Sequence, residues 1–153
     1  MLEAMGAQVV AGKNDVRIRR GTFKGGEFDL NATPDALPAM AVAGALAEGE
    51  TRLVNVAQAR LKETDRIAVM ASELSKMGAQ VEEREDGLVV RGGALKGAHL
   101  SGHDDHRIVM ALAVAGVAAE GETVIDTAES AAVTFPHFVE LMTSLGADVR
   151  TAE

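Results

Sequence analysis

Two short phrases recur in this chain at a single offset. Met5-Gly6-Ala7-Gln8-Val9 returns as Met77-Gly78-Ala79-Gln80-Val81, and Ala47-Glu48-Gly49-Glu50-Thr51 returns as Ala119-Glu120-Gly121-Glu122-Thr123, both 72 positions on. Two independent phrases sharing one offset define a repeated supersecondary unit of about 70 residues. A looser third copy of the first phrase, Leu145-Gly146-Ala147-Asp148-Val149, begins another unit. This constrains the fold strongly. The same local structure must form twice, and equivalent elements must pack side by side or around a pseudo-symmetry axis.

Each unit reads as α/β. Met1 to Gly6 has the look of the last turns of a helix closed by a glycine C-cap, so the chain is expected to be a fragment. A strand is predicted at Gln8–Val10, followed by a turn at Gly12-Lys13-Asn14-Asp15. An alternating strand follows at Val16–Arg19, with Val16 and Ile18 on one face. Gly25-Gly26 leads to a short strand near Phe28–Leu30. Pro34-Asp35 opens a helix to Ala47, and Gly49 ends it before a strand at Thr51–Val56. An amphipathic helix then follows, with Ile67, Met70, Leu74 and Met77 at spacings of three and four. The second unit repeats the plan. A hairpin, Gln80–Glu83 and Leu88–Arg91, turns at Glu85-Asp86-Gly87, and Asp105-His106-Arg107 opens a helix to Ala119. A strand follows at Thr123–Ile125, and the closing helix runs from Thr134 to Leu145 with Pro136 in its first turn. The helices 36–47 and 108–119 are apolar nearly all round and are expected to be buried, whereas 67–77 is expected on a surface. If equivalent elements pack together, the two buried helices can aim their N-termini at one end of the molecule. The partial positive charge of those ends suits an anion.

Composition excludes several functions. With 15 Lys and Arg against 23 Asp and Glu, the net charge is −8, the wrong sign for a chain whose main partner is nucleic acid. Aromatic residues make up only 3%, without Trp or Tyr, so no platform exists for stacking bases. The absence of cysteine removes disulfides, thiolate catalysis and thiolate metal ligands. The longest apolar run, Ile108 to Ala119, is too short to span a bilayer, and no secretory signal opens the sequence, so neither a membrane nor export is expected.

The charged residues gather at helix starts. Arg60-Leu61-Lys62-Glu63-Thr64-Asp65-Arg66-Ile67 carries five charges in eight positions, just where the amphipathic helix begins. Such an end can seat a phosphate or carboxylate, with Lys62 and Arg66 adding cations. It can equally be a solvated first turn held by Glu63–Arg66 and Lys62–Asp65 pairs. Asp35 reads either as a first-turn cap or as a base beside a bound anion. The run His103-Asp104-Asp105-His106-Arg107 puts two histidines among carboxylates. Consecutive residues cannot all face one ion, so a capped helix whose first turn holds His106 and Arg107 is expected there, and no metal site.

These motifs resemble the 5-enolpyruvylshikimate-3-phosphate synthase (3-phosphoshikimate 1-carboxyvinyltransferase) family. The resemblance rests on four ordered stretches: Asn31-Ala32-Thr33-Pro34-Asp35-Ala36, Arg60 to Arg66, Asp105-His106-Arg107-Ile108-Val109-Met110-Ala111, and Thr134-Phe135-Pro136 leading to Leu145-Gly146-Ala147. It covers nearly the whole chain and corresponds to the family's C-terminal third. It implies one domain of repeated βαβαββ units, split here at about 1–76 and 77–153, with the N-terminal domain absent. The implied activity transfers the enolpyruvyl group of phosphoenolpyruvate to the 5-hydroxyl of shikimate 3-phosphate, releasing phosphate, in the cytoplasm and without a cofactor. By the same resemblance, Asp35 and Glu63 are catalytic. Asp35 also contacts the shikimate hydroxyls, with Lys62 beside it. Arg66, Arg107 and His106 hold phosphoenolpyruvate, and Gln58 faces the shikimate ring. The family often has Lys before Thr-Phe-Pro, where this chain has Val133. Half of the active site is implied to be missing, so the isolated chain is expected to be inactive. Two other readings are a domain like UDP-N-acetylglucosamine enolpyruvyl transferase, against which Lys62-Glu63-Thr64-Asp65-Arg66 and Asp105-His106-Arg107 argue, and a non-catalytic α/β repeat module.

Overall fold

A computed structural model describes residues 1–19 and 21–151. In chain order the elements are β1 (Gln8–Ala11), β2 (Val16–Arg19), β3 (Glu27–Asp29), a 3-10 turn Pro34–Ala36, α1 (Leu37–Ala45), β4 (Glu50–Val54), a 3-10 turn Ala57–Leu61, α2 (Arg66–Lys76), β5 (Gln80–Arg84), β6 (Gly87–Arg91), β7 (His99–Leu100), α3 (His106–Ala118), β8 (Val124–Ile125), a 3-10 turn Ala128–Val133 and α4 (Phe138–Ser144). The fold is mixed α/β.

The 72-residue offset recurs in the pairing register. β3 runs parallel to β4 with Glu27 opposite Arg52 and Phe28 opposite Leu53. β7 runs parallel to β8 with His99 opposite Val124 and Leu100 opposite Ile125. Each of those four residues lies 72 positions beyond its counterpart. Isolated bridges join Lys24 to Glu48 and Lys96 to Glu120. The helix-ending glycines Gly6, Gly78 and Gly146 all take positive φ, as do Gly49 and Gly121. This is the left-handed conformation that only glycine adopts without cost. In both units a parallel pair is joined through a helix, α1 or α3, because parallel strands need a long crossover.

The main sheet has the order β3-β4-β6-β5, with β4–β6 and β6–β5 antiparallel. α1 packs on β4 and β6, α2 packs on β5 and β6, and α3 packs on both helices. Leu37, Leu53, Ile67, Met70, Leu74, Leu88, Ile108 and Leu112 are fully buried between these layers. Burial of side chains this large stabilises by roughly 1.5–3 kcal/mol each. A smaller cluster of Val109, Ala131 and Phe138 joins α3 to the C-terminal turns.

Several sequence expectations are corrected. α1 begins at Leu37, after a separate 3-10 turn, because Pro34 and Pro38 restrict the backbone there. α1 is buried nearly throughout, but α3 leaves Val114 and Val117 about half exposed. α2 is less of a surface helix than its pattern suggested, with seven of its eleven residues buried. The last helix starts at Phe138 and not at Thr134. Pro136 lies ahead of it, in the link that follows the turn 128–133. Val16 and Ile18 share a face of β2, but that face is open: both are over 60% exposed.

Candidate active site

Three helix starts meet at one place. α2 begins at Arg66, capped by Asp65, whose carboxylate accepts from the Ala68 N–H. α3 begins at His106, capped by Asp105, which accepts from the Arg107 N–H at 2.9 Å. The turn 34–36 ahead of α1 carries Asp35. Each start contributes charged side chains to one cluster because α1, α2 and α3 pack on one another.

Arg66 is the hub. Its side chain is 1% exposed. Its Nε donates to Asp105 Oδ2 at 2.7 Å and its Nη2 to Asp105 Oδ1 at 3.2 Å, a two-point grip on a fully buried carboxylate. Nη1 donates to Asp35 Oδ1 at 2.9 Å and Nη2 to Glu63 Oε2 at 2.6 Å. Burial works against the Arg66 charge. The hydrogen bonds to Asp105 and the charges of Asp105, Glu63 and Asp35 outweigh it and push the guanidinium pKa above its ordinary value. Asp35 also meets Lys62 Nζ at 3.3 Å and Arg107 Nη2 at 3.2 Å. Partial burial pushes its carboxyl up. The hydrogen bond from Lys62 and the charges of Arg107, Lys62 and Arg66 together prevail, and it stays below the usual carboxylate range. His106, almost buried, has its Nδ1 3.9 Å from Glu63 Oε1.

Of the seven residues singled out in the sequence, six therefore converge: Asp35, Lys62, Glu63, Arg66, His106 and Arg107. Gln58 is set apart from the ionic cluster. Its amide donates to the Asn31 carbonyl at 3.0 Å and to Asn31 Oδ1 at 3.2 Å, which fastens the turn 57–61 to the segment before Asp35. Arg60 fastens the other side of that turn. It donates to Asp65 at 2.7 Å and to the backbone carbonyls of Arg84 and Glu85 in the β5–β6 hairpin, and it pairs with Glu83. The loop bearing Lys62 and Glu63 is thereby held between two neighbours. Two local expectations change. Lys62 pairs with Asp35 and not with Asp65, and Asp35 makes no cap hydrogen bond. Val133, where a Lys was expected, is 76% exposed at the end of a turn that packs on α3.

Two buried carboxylates escaped the sequence reading. Asp105 could be recognised as a helix cap, but nothing in the sequence names Arg66, 39 residues away, as its partner. Glu73 sits mid-helix and is 1% exposed. It accepts from Lys76 at 2.8 Å and from the Ser101 N–H at 3.0 Å, and it lies 3.4 Å from His103 Nε2. The run 103–107 thus divides, with His103 turned to Glu73 and Asp105, His106 and Arg107 turned to the cluster. Among the described residues no group of three or more His, Asp or Glu side chains is arranged to hold a metal ion, and no helix is long and apolar enough to cross a membrane.

The cluster has three cations, three carboxylates and a histidine. Lys62, Arg107, Asp35 and Glu63 are each between 31% and 47% exposed, above the buried Arg66–Asp105 base. Arg66 has five N–H donors, and four are engaged in the contacts above. An incoming anion therefore meets Lys62 and Arg107 first. To reach Arg66, which is 1% exposed, it would have to exchange with Asp35 or Glu63, and each exchange would free a carboxylate able to take a proton.

Comparison with known proteins gives a consistent result. A family profile described as EPSP synthase (3-phosphoshikimate 1-carboxyvinyltransferase) matches residues 1–142. The 3-phosphoshikimate 1-carboxyvinyltransferase of Acetivibrio thermocellus is 60% identical over the whole chain, and that of Ruminiclostridium cellulolyticum is 58% identical over 97% of it. The chain spans about 36% and 35% of the lengths of these relatives. Among solved structures, EPSP synthase from Acinetobacter baumannii superposes with a TM-score of 0.92 at 32% identity, over 99% of this chain and 39% of that one. The enolpyruvyl transferase NikO from Streptomyces tendae superposes at 0.81 and 26% identity, over 97% of this chain and 34% of that one.

Proposed function

The chain belongs to the EPSP synthase family, and from that premise we propose that it is the C-terminal part of a cytoplasmic 3-phosphoshikimate 1-carboxyvinyltransferase. In this reading it is one domain of two repeat units, about 1–76 and 77–153, and one wall of a cleft whose other wall comes from an N-terminal domain. The observation that carries the reading is the meeting of Asp35, Lys62, Glu63, Arg66, His106 and Arg107 from three separate helix starts. A repeat module without catalytic work has no need to gather these groups in one place.

The chemistry follows from the charges. Both substrates are anions, and the reaction adds a hydroxyl across the double bond of phosphoenolpyruvate and then expels phosphate. Asp35 takes the proton of the 5-hydroxyl of shikimate 3-phosphate as its oxygen attacks C2 of phosphoenolpyruvate. Lys62, Arg107 and Arg66 keep Asp35 ionised before the substrates bind, and it gains affinity for the proton as these cations turn to the substrates' anionic groups. Lys62, 3.3 Å from Asp35, steadies the same oxygen. Glu63, carrying a proton in the substrate complex, delivers it to the methylene carbon and takes one back from the new methyl group as phosphate leaves, while the proton held by Asp35 passes to the departing phosphate. Arg66 and Arg107 hold the carboxylate and phosphate with planar forks, aided by His106. Gln58 bears on the shikimate ring through the segment around Asn31. Prepositioned charge and orientation supply most of the rate.

The test is a chimaera in which this chain replaces the matching residues of the Acetivibrio thermocellus relative. It should release phosphate from the two substrates, and Asp35→Ala or Glu63→Ala in it should lower kcat by about 10²–10⁴-fold. The isolated chain should show negligible turnover. A folded but inactive chimaera, or brisk turnover by the isolated chain, would overturn the reading. Full activity in both alanine variants would overturn the assigned roles.

A further inference from the structure

Glu73 is 1% exposed and stands about two turns along α2 from Arg66, on the same side of the helix. The two charges grip opposite ends of one loop. Arg66 holds Asp105 at 2.7 Å. Glu73 Oε2 accepts from the Ser101 N–H at 3.0 Å, and its Oε1 lies 3.4 Å from His103 Nε2. Lys76 meets both carboxylate oxygens at 2.8 Å from the solvent side. Across the loop, Asp126 Oδ1 accepts from the Ser101 hydroxyl at 2.8 Å and from the Gly102 N–H at 2.9 Å, and Thr127 Oγ1 accepts from the Asp104 N–H at 3.1 Å.

The loop held in this way is strained. His103 (φ +51°) and Asp104 (φ +54°) are consecutive non-glycine residues in the left-handed region. A Cβ is crowded there, and such a backbone persists only where its surroundings over-determine it. The first unit reaches its helix without this strain. Asn31 and Ala32, 72 positions before His103 and Asp104, have no positive φ. Asn31 is held by the neutral amide of Gln58, whereas His103 faces a buried carboxylate. The two loops lead to equivalent residues, Asp35 in the first unit and Arg107 in the second. The left-handed pair directly precedes Asp105, and it separates His103, turned to Glu73, from His106 and Arg107, turned to the cluster.

We propose that Glu73 is a positioning residue: from α2 it holds the loop 101–104 in its left-handed form, and the loop in turn sets His106 and Arg107 against the bound anion. The inference rests on the catalytic reading for the identity of that anion, phosphoenolpyruvate. Without Glu73 the loop relaxes toward ordinary backbone, and only a fraction of the molecules present His106 and Arg107 correctly. Apparent affinity falls by that fraction. Saturating phosphoenolpyruvate draws the loop back, so kcat is kept.

In the chimaera, Glu73→Leu should raise the KM for phosphoenolpyruvate about tenfold and leave kcat and the KM for shikimate 3-phosphate within about twofold, as expected when about a tenth of the molecules keep the binding form. Glu73→Gln retains an acceptor for the Ser101 N–H and should fall in between. Asp104 is exposed, and Asp104→Val with Glu73 in place should raise the same KM, because a β-branched residue resists positive φ. Asp104→Gly added to Glu73→Leu should recover most of the loss, since glycine takes that conformation freely. A variant that had only lost stability would lower kcat through fewer folded molecules and leave both KM values alone. In this chain without substrate, Glu73→Leu should speed amide hydrogen exchange at Gly102 and Asp104 about tenfold and leave β4 and β6 unchanged. An unchanged KM for phosphoenolpyruvate in both Glu73→Leu and Asp104→Val overturns the proposal, as does a loss of kcat alone or exchange that rises equally in loop and sheet. An inactive parent chimaera overturns the catalytic reading instead, and the exchange pattern then decides whether Glu73 holds the loop.

Discussion

Replacing Asp105 with alanine tests whether the base of the cluster is built as described. Its carboxylate is fully buried and receives two donors of the equally buried Arg66, at 2.7 and 3.2 Å. It also caps α3 through the Arg107 N–H. Removing one member of a buried pair costs about 3–5 kcal/mol, because the other charge is left without its partner. Here Asp35 and Glu63 still hold Arg66, which points to the lower end of that range. Loss of the cap adds about 1 kcal/mol. The sum is a destabilisation of roughly 4 kcal/mol. Urea unfolding followed by circular dichroism would read it as a lower midpoint at unchanged slope. Asp105→Asn keeps an acceptor for the cap and should fall in between. A double-mutant cycle with Arg66→Met isolates the pair, since the double variant should be less destabilised than the two single losses added. An Asp105→Ala variant within about 1 kcal/mol of the parent would refute the reasoning, since even the cap alone accounts for that much.

Other outcomes follow from the same structure. Gly87→Ala would press a Cβ against the Leu53 carbonyl oxygen at 1.8 Å, and should cost about 1–3 kcal/mol by overpacking, read as a lower melting temperature. Thr51 is fully buried and its hydroxyl has no hydrogen-bond partner; Thr51→Val should be neutral or stabilise by up to about 1 kcal/mol in urea titrations. Leu74→Ala empties a fully buried site beneath the sheet and should cost about 2–5 kcal/mol. Asp35 and Glu73 are both held below their ordinary values of 3.8 and 4.5. For Glu73, burial pushes upward, but the Lys76, Ser101 and His103 contacts and the Lys76 charge prevail. Carboxyls depressed in the folded state lend stability that is full above the unfolded values and is lost as pH falls through the folded ones. Urea midpoints measured from about pH 6 down to about pH 2 should therefore drop below about pH 4.5, and less steeply in Glu73→Gln.

By itself the sequence determined the elements and the family. A hydrophobic period, a glycine that must adopt positive φ and a proline that cannot continue a helix all act within a few residues. Hence the strands other than the two-residue β7, together with α2 and the helix-ending glycines, could be read directly, and the four ordered motifs led to the family. Local signals also explain the misreadings. Thr134 to Leu145 reads as one helix with Pro136 in its first turn, but Pro136 disfavours a helical Phe135, and the helix starts only at Phe138. Only the tertiary structure could decide which charges meet. Lys62 could reach Asp65 or Asp35, and Arg66 could face solvent or the interior. Those choices were made by the packing of α1, α2 and α3, which brings Asp35, Arg66 and Asp105 together from 31 and 39 residues apart. Ionic contacts have no sequence period, because they depend on where rigid elements place their ends.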